Sequence, residues 1–158
     1  MAGNCITDDE VCCEASRQEI IRRYYAAMCS ARQGMSDSRP AEKIKLLINQ
    51  LGITVKDRPV IDAAVARAEQ TGEPAAAIQL PDGEIVTGKT TKLLGASAAV
   101  LLNALKRLGG IQKDMHLISP IVIEPIQDLK VNHLGNHNPR LHMDEVLIAL
   151  SISAATNP

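Results

Sequence analysis

The chain has 158 residues, 46% of them hydrophobic, which suits an ordinary folded domain with a real core and not a disordered segment. With 17 basic and 18 acidic residues, a net charge of −1, no Phe, no Trp and only Tyr24 and Tyr25 as aromatics, it lacks both the basic field and the stacking rings that nucleic acid requires. No apolar run approaches a membrane span, and Met1-Ala2-Gly3-Asn4 has no basic start or long apolar stretch, so the reading is a cytoplasmic chain with no membrane partner.

The core must come from Leu, Ile, Val, Ala and Met, and such residues favour packed helices when they recur every three or four positions. Asp8 and Asp9 cap a first predicted helix running to about Gln33, with Ile20, Tyr24, Ala27, Met28 and Ala31 on one face. Glu19 and Arg23 stand in acid-first i,i+4 order, so Arg22-Arg23 reads as a solvated charged face in preference to an anion clamp. After a polar break at 34–39, Pro40 opens a second helix with the stripe Ile44, Leu47, Ile48, Leu51 and a stop at Gly52. Asp57 and Pro59 open a third, with Val60, Ile61, Ala64, Val65 and Ala68 inward and a stop at Gly72. These three helices read as a small bundle.

The texture changes at residue 75. Two extended runs flank Pro81-Asp82-Gly83, whose Pro presets φ and whose Gly accepts a positive one, so residues 75–88 read as a β-hairpin. This bears on the stretch Gly83-Glu84-Ile85-Val86-Thr87-Gly88-Lys89-Thr90, which fits the phosphate-loop pattern G-x-x-x-x-G-K-[ST] letter for letter. A phosphate loop needs a strand before its first Gly and a compact curl after it. Here the first Gly sits in a turn and the next four residues are strand-like, so a hairpin is predicted and no phosphate loop. Lys89, Thr90, Thr91 and Lys92 still precede a helix N-terminus, which attracts anions; the competing reading makes Thr90 or Thr91 simply its cap.

The next helix carries Leu94, Ala98, Leu101, Leu102, Leu105 and Leu108 on one stripe, with Asn103, Lys106 and Arg107 opposite and Gly109-Gly110 at its end. Met115–Ile118 is short and apolar enough for a buried strand. Of two competing helix starts, Ser119-Pro120 and Glu124-Pro125, the second is preferred, because a Pro inside a helix costs about 3 kcal/mol. That helix runs to Leu134; a loop follows over 136–142, and Asp144 caps a last apolar helix from Glu145 to about Ala155. The loop sets a rigid Asn138-Pro139 turn, the Arg140 guanidinium and the His142 imidazole just before a helix N-terminus, a combination that suits a carboxylate or phosphate. Its alternative is a connector with Arg140 paired to a local carboxylate.

Cys5, Cys12, Cys13 and Cys29 form no Cys-x-x-Cys pair and read as reduced thiols. His133, His137 and His142 lie on separate elements, and no His-Glu-x-x-His occurs, so no metal is expected. His116 near Ser119 is a conceivable pair without defined geometry. An apolar last helix ending at Asn157-Pro158 reads as a chain cut short.

Several strings are specific: Glu19-Ile20-Ile21-Arg22-Arg23-Tyr24-Tyr25, Thr87-Gly88-Lys89-Thr90, Leu94-Gly95-Ala96-Ser97 and Leu102-Asn103-Ala104-Leu105-Lys106. Others are His116-Leu117-Ile118-Ser119-Pro120, Ile123-Glu124-Pro125-Ile126, Asn138-Pro139-Arg140-Leu141-His142 and the run Asp144–Ile152. Through them the chain resembles the bacterial domain-of-unknown-function family 1846 along essentially its whole length. The resemblance implies a C-terminal portion of a longer protein with a preceding α/β region and a phosphate-loop-like segment there. Some members are labelled ATP-dependent zinc protease, which makes ATP a candidate cofactor of the full-length protein.

The expectation is therefore an α+β, mostly helical fold: a three-helix N-terminal segment over 1–72, then a hairpin plus three helices over 73–158, one continuous module of a larger protein. The candidate ligand- or anion-binding residues are Lys89, Thr90, Thr91, Ser97, His116, Arg140 and His142. The expected role is an accessory portion of a nucleotide- or anion-linked enzyme, its loops closing a site formed mainly elsewhere. The alternative is a purely structural or oligomerisation module. Its partners are the preceding region of the same protein or another subunit, with homo-oligomerisation expected.

Overall fold

The computed structural model describes residues 7–156. Cys5, the Met1–Asn4 start and the Asn157-Pro158 end, on which parts of the sequence reading rest, lie outside them. The chain divides into two compact units, Met1–Pro59 and Val60–Pro158.

The first unit pairs α1 (Asp9–Arg32) with α2 (Arg39–Gln50). Asp8 caps α1 as expected, its Oδ1 accepting the Val11 N–H at 3.0 Å. Among the described residues of this unit the buried apolar ones are Ile21, Ala41, Ile48 and Ile53. The expected α1 face is only half-buried, and its most buried member, Ile21, is one the periodicity reading left out. Gly52 (φ 63°) ends α2 with the Ile53 N–H reaching back to the Ile48 carbonyl at 3.0 Å, so the glycine turns the chain and returns an apolar side chain to the core. Arg22 and Arg23 both close on Glu19 of their own helix, at 2.6 and 2.8 Å. Hydrogen bonds from Arg22 and then Arg23 pull the Glu19 carboxyl down to about 2. The pair is a charged surface turned on itself, as expected.

The second unit takes up α3 (Pro59–Thr71) from its second residue. Its half-buried face is Val60, Ile61, Ala63, Ala64, Arg67 and Ala68, whereas Val65, expected inward, is 50% exposed. The hairpin follows as β1 (Ala75–Gln79) and β2 (Ile85–Lys89), antiparallel, with Ala75 opposite Lys89 and Gln79 opposite Ile85. The Gly83 N–H closes the turn on the Leu80 carbonyl at 2.9 Å with φ 87°, and the Leu80 N–H bonds the Glu84 carbonyl at 2.8 Å. Residues 81–83 are thus the predicted turn. The second glycine of the phosphate-loop look-alike has another task. Gly88 is buried, and a Cβ there would lie 2.6 Å from Val100 Cα and 2.7 Å from the Ala99 carbonyl carbon. Only a glycine lets β2 approach α4 (Ala96–Leu108) this closely.

α4 is buried on two sides, not on the single stripe expected. Val100 and Ala104 are buried as well as Ala98 and Leu102, while Leu105 and Leu108 are 38% and 62% exposed. Ala98 and Leu102 join Ile118, Ile123, Leu141, Val146 and Ala149 in the main core cluster.

Three expectations after α4 are corrected. Met115–Ile118 is irregular, not a strand. The next helix, α5 (Pro120–Asp128), starts at Ser119-Pro120, so Pro125 lies inside it. The reason is burial at both ends of the first turn. Ile118 precedes the cap Ser119, Ile123 is the fourth helical residue, and each is 5% exposed in the same core, the arrangement of a hydrophobic staple. Two buried aliphatic side chains contribute about 1.5–3 kcal/mol each, which offsets the ~3 kcal/mol of one interior Pro. The chain then passes through a π-helical turn (Leu129–His133) before α6 (Met143–Thr156), which begins two residues earlier than expected, so that Asp144 lies in its first turn instead of capping it. The whole is the mostly helical α+β fold with one hairpin that the sequence predicted. Among the described residues no helix is long and apolar enough to cross a membrane.

Candidate functional site

The two loops singled out in the sequence meet. Leu94 and Leu141 form a parallel bridge in which the Leu141 N–H donates to the Leu93 carbonyl at 2.8 Å and the Gly95 N–H to the Leu141 carbonyl at 3.0 Å. Each strand-like segment leads into a helix, α4 after Gly95 and α6 after His142, so two helix N-termini, each carrying partial positive charge, sit side by side. Gly95, not Thr90 or Thr91, is the cap of α4. Thr91 instead folds the approach: its Oγ1 accepts the Leu93 and Leu94 N–H groups at 3.3 and 3.0 Å, and its carbonyl accepts Arg140 Nε at 2.9 Å. Among the described residues no carboxylate pairs with Arg140.

Asn138 sets the rest of the loop. Its Oδ1 accepts the Arg140 N–H at 3.1 Å, so its amide NH₂ is what faces His142 Nε2 at 3.2 Å. Nε2 therefore accepts, and in the neutral ring the proton sits on Nδ1. That nitrogen lies 3.9 Å from where a Cβ would stand on Gly95, at the start of α4.

A buried lysine pins this junction from below. Lys130, in the π-helical turn, has a side chain 5% exposed; its Nζ donates to the Arg140 carbonyl at 2.7 Å and to Glu145 Oε2 at 2.9 Å. The same Glu145 oxygen accepts the His142 N–H at 2.7 Å and so closes the first turn of α6. Burial by itself raises the Glu145 carboxyl. The His142 N–H, the Lys130 hydrogen bond and the Lys130 charge outweigh it, and the group is held below its ordinary range.

Beside the junction lies a cleft of ≈ 300 Å³ within the second unit. Its polar lining includes Arg67, Lys89, Lys106, His116, Thr91 and Asn103, and no carboxylate belongs to it. Lys106 Nζ donates once, to the Lys113 carbonyl at 2.8 Å, and Asn103 donates to the Thr87 carbonyl at 2.9 Å. Arg67 Nη1 bonds Gln70 at 2.8 Å, while its Nε–H is enclosed with no acceptor.

The seven candidate residues thus separate into groups. Lys89, Thr91 and His116 line the cleft; Arg140 touches it only through Thr91; His142 belongs to the junction. Thr90 prolongs the hairpin, its N–H on the Pro74 carbonyl at 2.8 Å, and Ser97 is exposed in the first turn of α4. Arg67 and Lys106 were missed. Arg67 had a legible signal, since it follows Val60 and Ala64 at helical spacing on the half-buried face that Ala63 and Ala68 share. Lys106 had none, because it shares a polar face with Asn103 and Arg107. Among the described residues no group of three or more His, Cys, Asp or Glu side chains is placed to hold a metal ion.

The elements and the two joined loops define a mostly helical α+β chain with one hairpin. The chain belongs to the DUF1846 family. Residues 56–158 match the family model described as "Domain of unknown function DUF1846, C-terminal", and residues 1–52 match its N-terminal counterpart. The chain is 56% identical over 155 residues to a UPF0371 protein of Corynebacterium urealyticum, covering 98% of this chain and 31% of that one. It is 55% identical over 157 residues to a UPF0371 protein of Streptococcus thermophilus, covering 99% and 32%. The chain therefore spans about a third of the length of these relatives.

Proposed function

We propose that this portion supplies an anion-binding face to a cytoplasmic, nucleotide- or anion-linked enzyme, its loops at 89–97 and 138–144 closing a site formed mainly by the rest of the protein. The observation that carries the reading is the cleft in which Arg67, Lys89 and Lys106 line one space, with the His116 imidazole beside them and no carboxylate in the lining. Positive groups brought together without a counter-charge repel one another, and an anion relieves that repulsion. Arg140 supports the cleft by fixing the Thr91 carbonyl from the second loop. ATP is the ligand that the family resemblance suggests for the full-length protein, and the remaining two thirds of that protein are the first partner.

Titration of the full-length protein with ATP and with inorganic phosphate, followed by calorimetry, tests the proposal. Arg140→Ala and Lys89→Ala should each weaken anion binding while costing less than about 1 kcal/mol of stability, as for exposed or half-exposed substitutions. No binding by the wild type, or affinity unchanged in both variants, overturns it.

A second reading, a structural or oligomerisation module, draws on a different surface. Ile121, Leu134 and Ile148 are 76%, 73% and 58% exposed on α5, just after the π-helical turn and on α6, an amount of bare aliphatic surface that suits docking against another part of the protein or another copy.

A further inference from the structure

The hairpin has two edges, and side chains of α4 answer only one of them. We infer that the outer edge of β1 receives an extended strand from the part of the protein that lies outside this chain, so that the two-stranded sheet is the rim of a wider one. The surface is separate from the anion cleft, and the inference stands without that reading.

The register decides which backbone groups point outward. Along an antiparallel pair, residues that exchange both N–H···O=C bonds with their partner alternate with residues whose N–H and C=O point away from it. The Leu80 N–H bonds the Glu84 carbonyl and the Thr90 N–H bonds the Pro74 carbonyl, each at 2.8 Å. Counting inward from both ends, the bonded pairs are Ala76 with Gly88 and Ile78 with Val86. Ala75, Ala77 and Gln79 therefore present their N–H and C=O groups on the far side of β1. Among the described residues none of those backbone groups has a hydrogen-bond partner. On β2 the same count turns Thr87 outward, and there α4 responds. Asn103 Nδ2 donates to the Thr87 carbonyl at 2.9 Å, and Arg107 Nε meets Glu84 Oε2 at 2.5 Å.

The β1 edge is also unguarded. A row of unpaired N–H and C=O groups is a template for another strand, and edges that must stay free are blunted by charge, proline or a bulge. Ala75–Gln79 contains no charged residue and no proline, and it pairs with β2 one for one without a bulge. Its three alanines let a neighbour approach to the ~4.8 Å spacing of a sheet with no bulky side chain in the way. Main-chain hydrogen bonds then supply the attraction, as in strand addition generally.

The occupant follows from size. A second copy pairing β1 against β1 would bring together five residues a side, alanines among them, which falls far short of the ~800 Å² per partner of a stable interface. A strand of the same polypeptide needs no such area, because the chain itself holds it at high local concentration. This chain spans about a third of its relatives' length, so the remaining two thirds can supply that strand.

The test is amide exchange in the full-length protein, followed residue by residue by NMR, together with nuclear Overhauser contacts from the same amides. The N–H groups of Ala75, Ala77 and Gln79 should exchange roughly a hundredfold or more slower than free amides, alongside the inward-facing Ala76 and Ile78. They should also show cross-strand contacts to residues outside this chain. An alternating pattern, with Ala76 and Ile78 slow and their neighbours at the free rate, overturns the inference. Slow exchange without cross-strand contacts overturns it as well, since the edge is then covered by something other than a strand. Cross-strand contacts to β1 of a second copy, recognised in a mixture of labelled and unlabelled protein, overturn the choice of occupant and with it the inference.

Discussion

Replacing Lys130 by Met keeps most of the side chain's length and apolar contact and removes only the ammonium. That group makes two charged hydrogen bonds, 2.7 Å to the Arg140 carbonyl and 2.9 Å to Glu145 Oε2, from a side chain 5% exposed. Hydrogen bonds to charged groups contribute about 1.5–3 kcal/mol each, and removing one partner of a buried ion pair costs about 3–5 kcal/mol. Glu145 keeps 26% of its side-chain surface, so water recovers part of the loss, and about 2–4 kcal/mol is the expected cost at neutral pH. The pH dependence has a definite sign. Glu145 is depressed in the folded chain below its ordinary 4.5, so its stabilising increment is present above that value and is lost as pH falls below it through the folded pKa. In Lys130→Met one of the groups holding that carboxyl down is gone, and the acid loss should shrink. Urea unfolding of wild type and variant by circular dichroism, at about pH 7 and again below about pH 4, measures both effects. A difference under ~1 kcal/mol at neutral pH, or a gap that does not narrow in acid, would refute the assignment of Lys130 as the pin of the junction.

Gly88→Ala should destabilise the chain by about 3 kcal/mol or more, because the new methyl meets backbone atoms of α4 and not a side chain that can turn away; a thermal melt within a degree or two of wild type would contradict this. Pro125→Ala restores an N–H inside α5 and should stabilise by about 1–2 kcal/mol, part of the gain being offset by a freer unfolded chain; loss of stability in urea titration would show that the ring makes packing contacts of its own. The 158-residue chain should self-associate through Ile121, Leu134 and Ile148, and Leu134→Lys with Ile148→Lys should return it to a monomer. Light scattering that finds the wild type monomeric at all concentrations counts against that surface.

The parts of the fold written in short-range chemistry were legible. Pro81-Asp82-Gly83 announced its turn, Asp8 its cap, and Gly52 and Gly110 their helix ends, because each acts on neighbours within five residues. The phosphate-loop letters were correctly set aside: Gly83 is needed for a positive φ and Gly88 for contact with α4, two separate demands at the pattern's spacing. What escaped was long-range. The start of α5 was settled by Ile118 and Ile123 reaching a common core, which outweighed the rule against an interior proline. Only the fold brings Arg67 of α3 and Lys106 of α4 to one cleft, and only the fold joins Arg140 to Thr91.

The bond from Arg140 to Thr91 spans 49 residues. Closing a flexible loop of that length costs about 3 kcal/mol of chain entropy, more than one such hydrogen bond returns. The crossing therefore holds only once α4, α5 and α6 have already shortened the path between its ends. It belongs among the last contacts made in folding and the first released in a local opening. The Arg140 side chain can then release Thr91 while the backbone bridge at Leu141, which is fully buried in the same core as α4, stays formed, so the Leu141 amide proton should exchange as slowly as those of α4. A ligand bound beside it would draw its affinity partly from the fraction of molecules in which the crossing is closed, so tightening that crossing by mutation should raise affinity without touching the ligand.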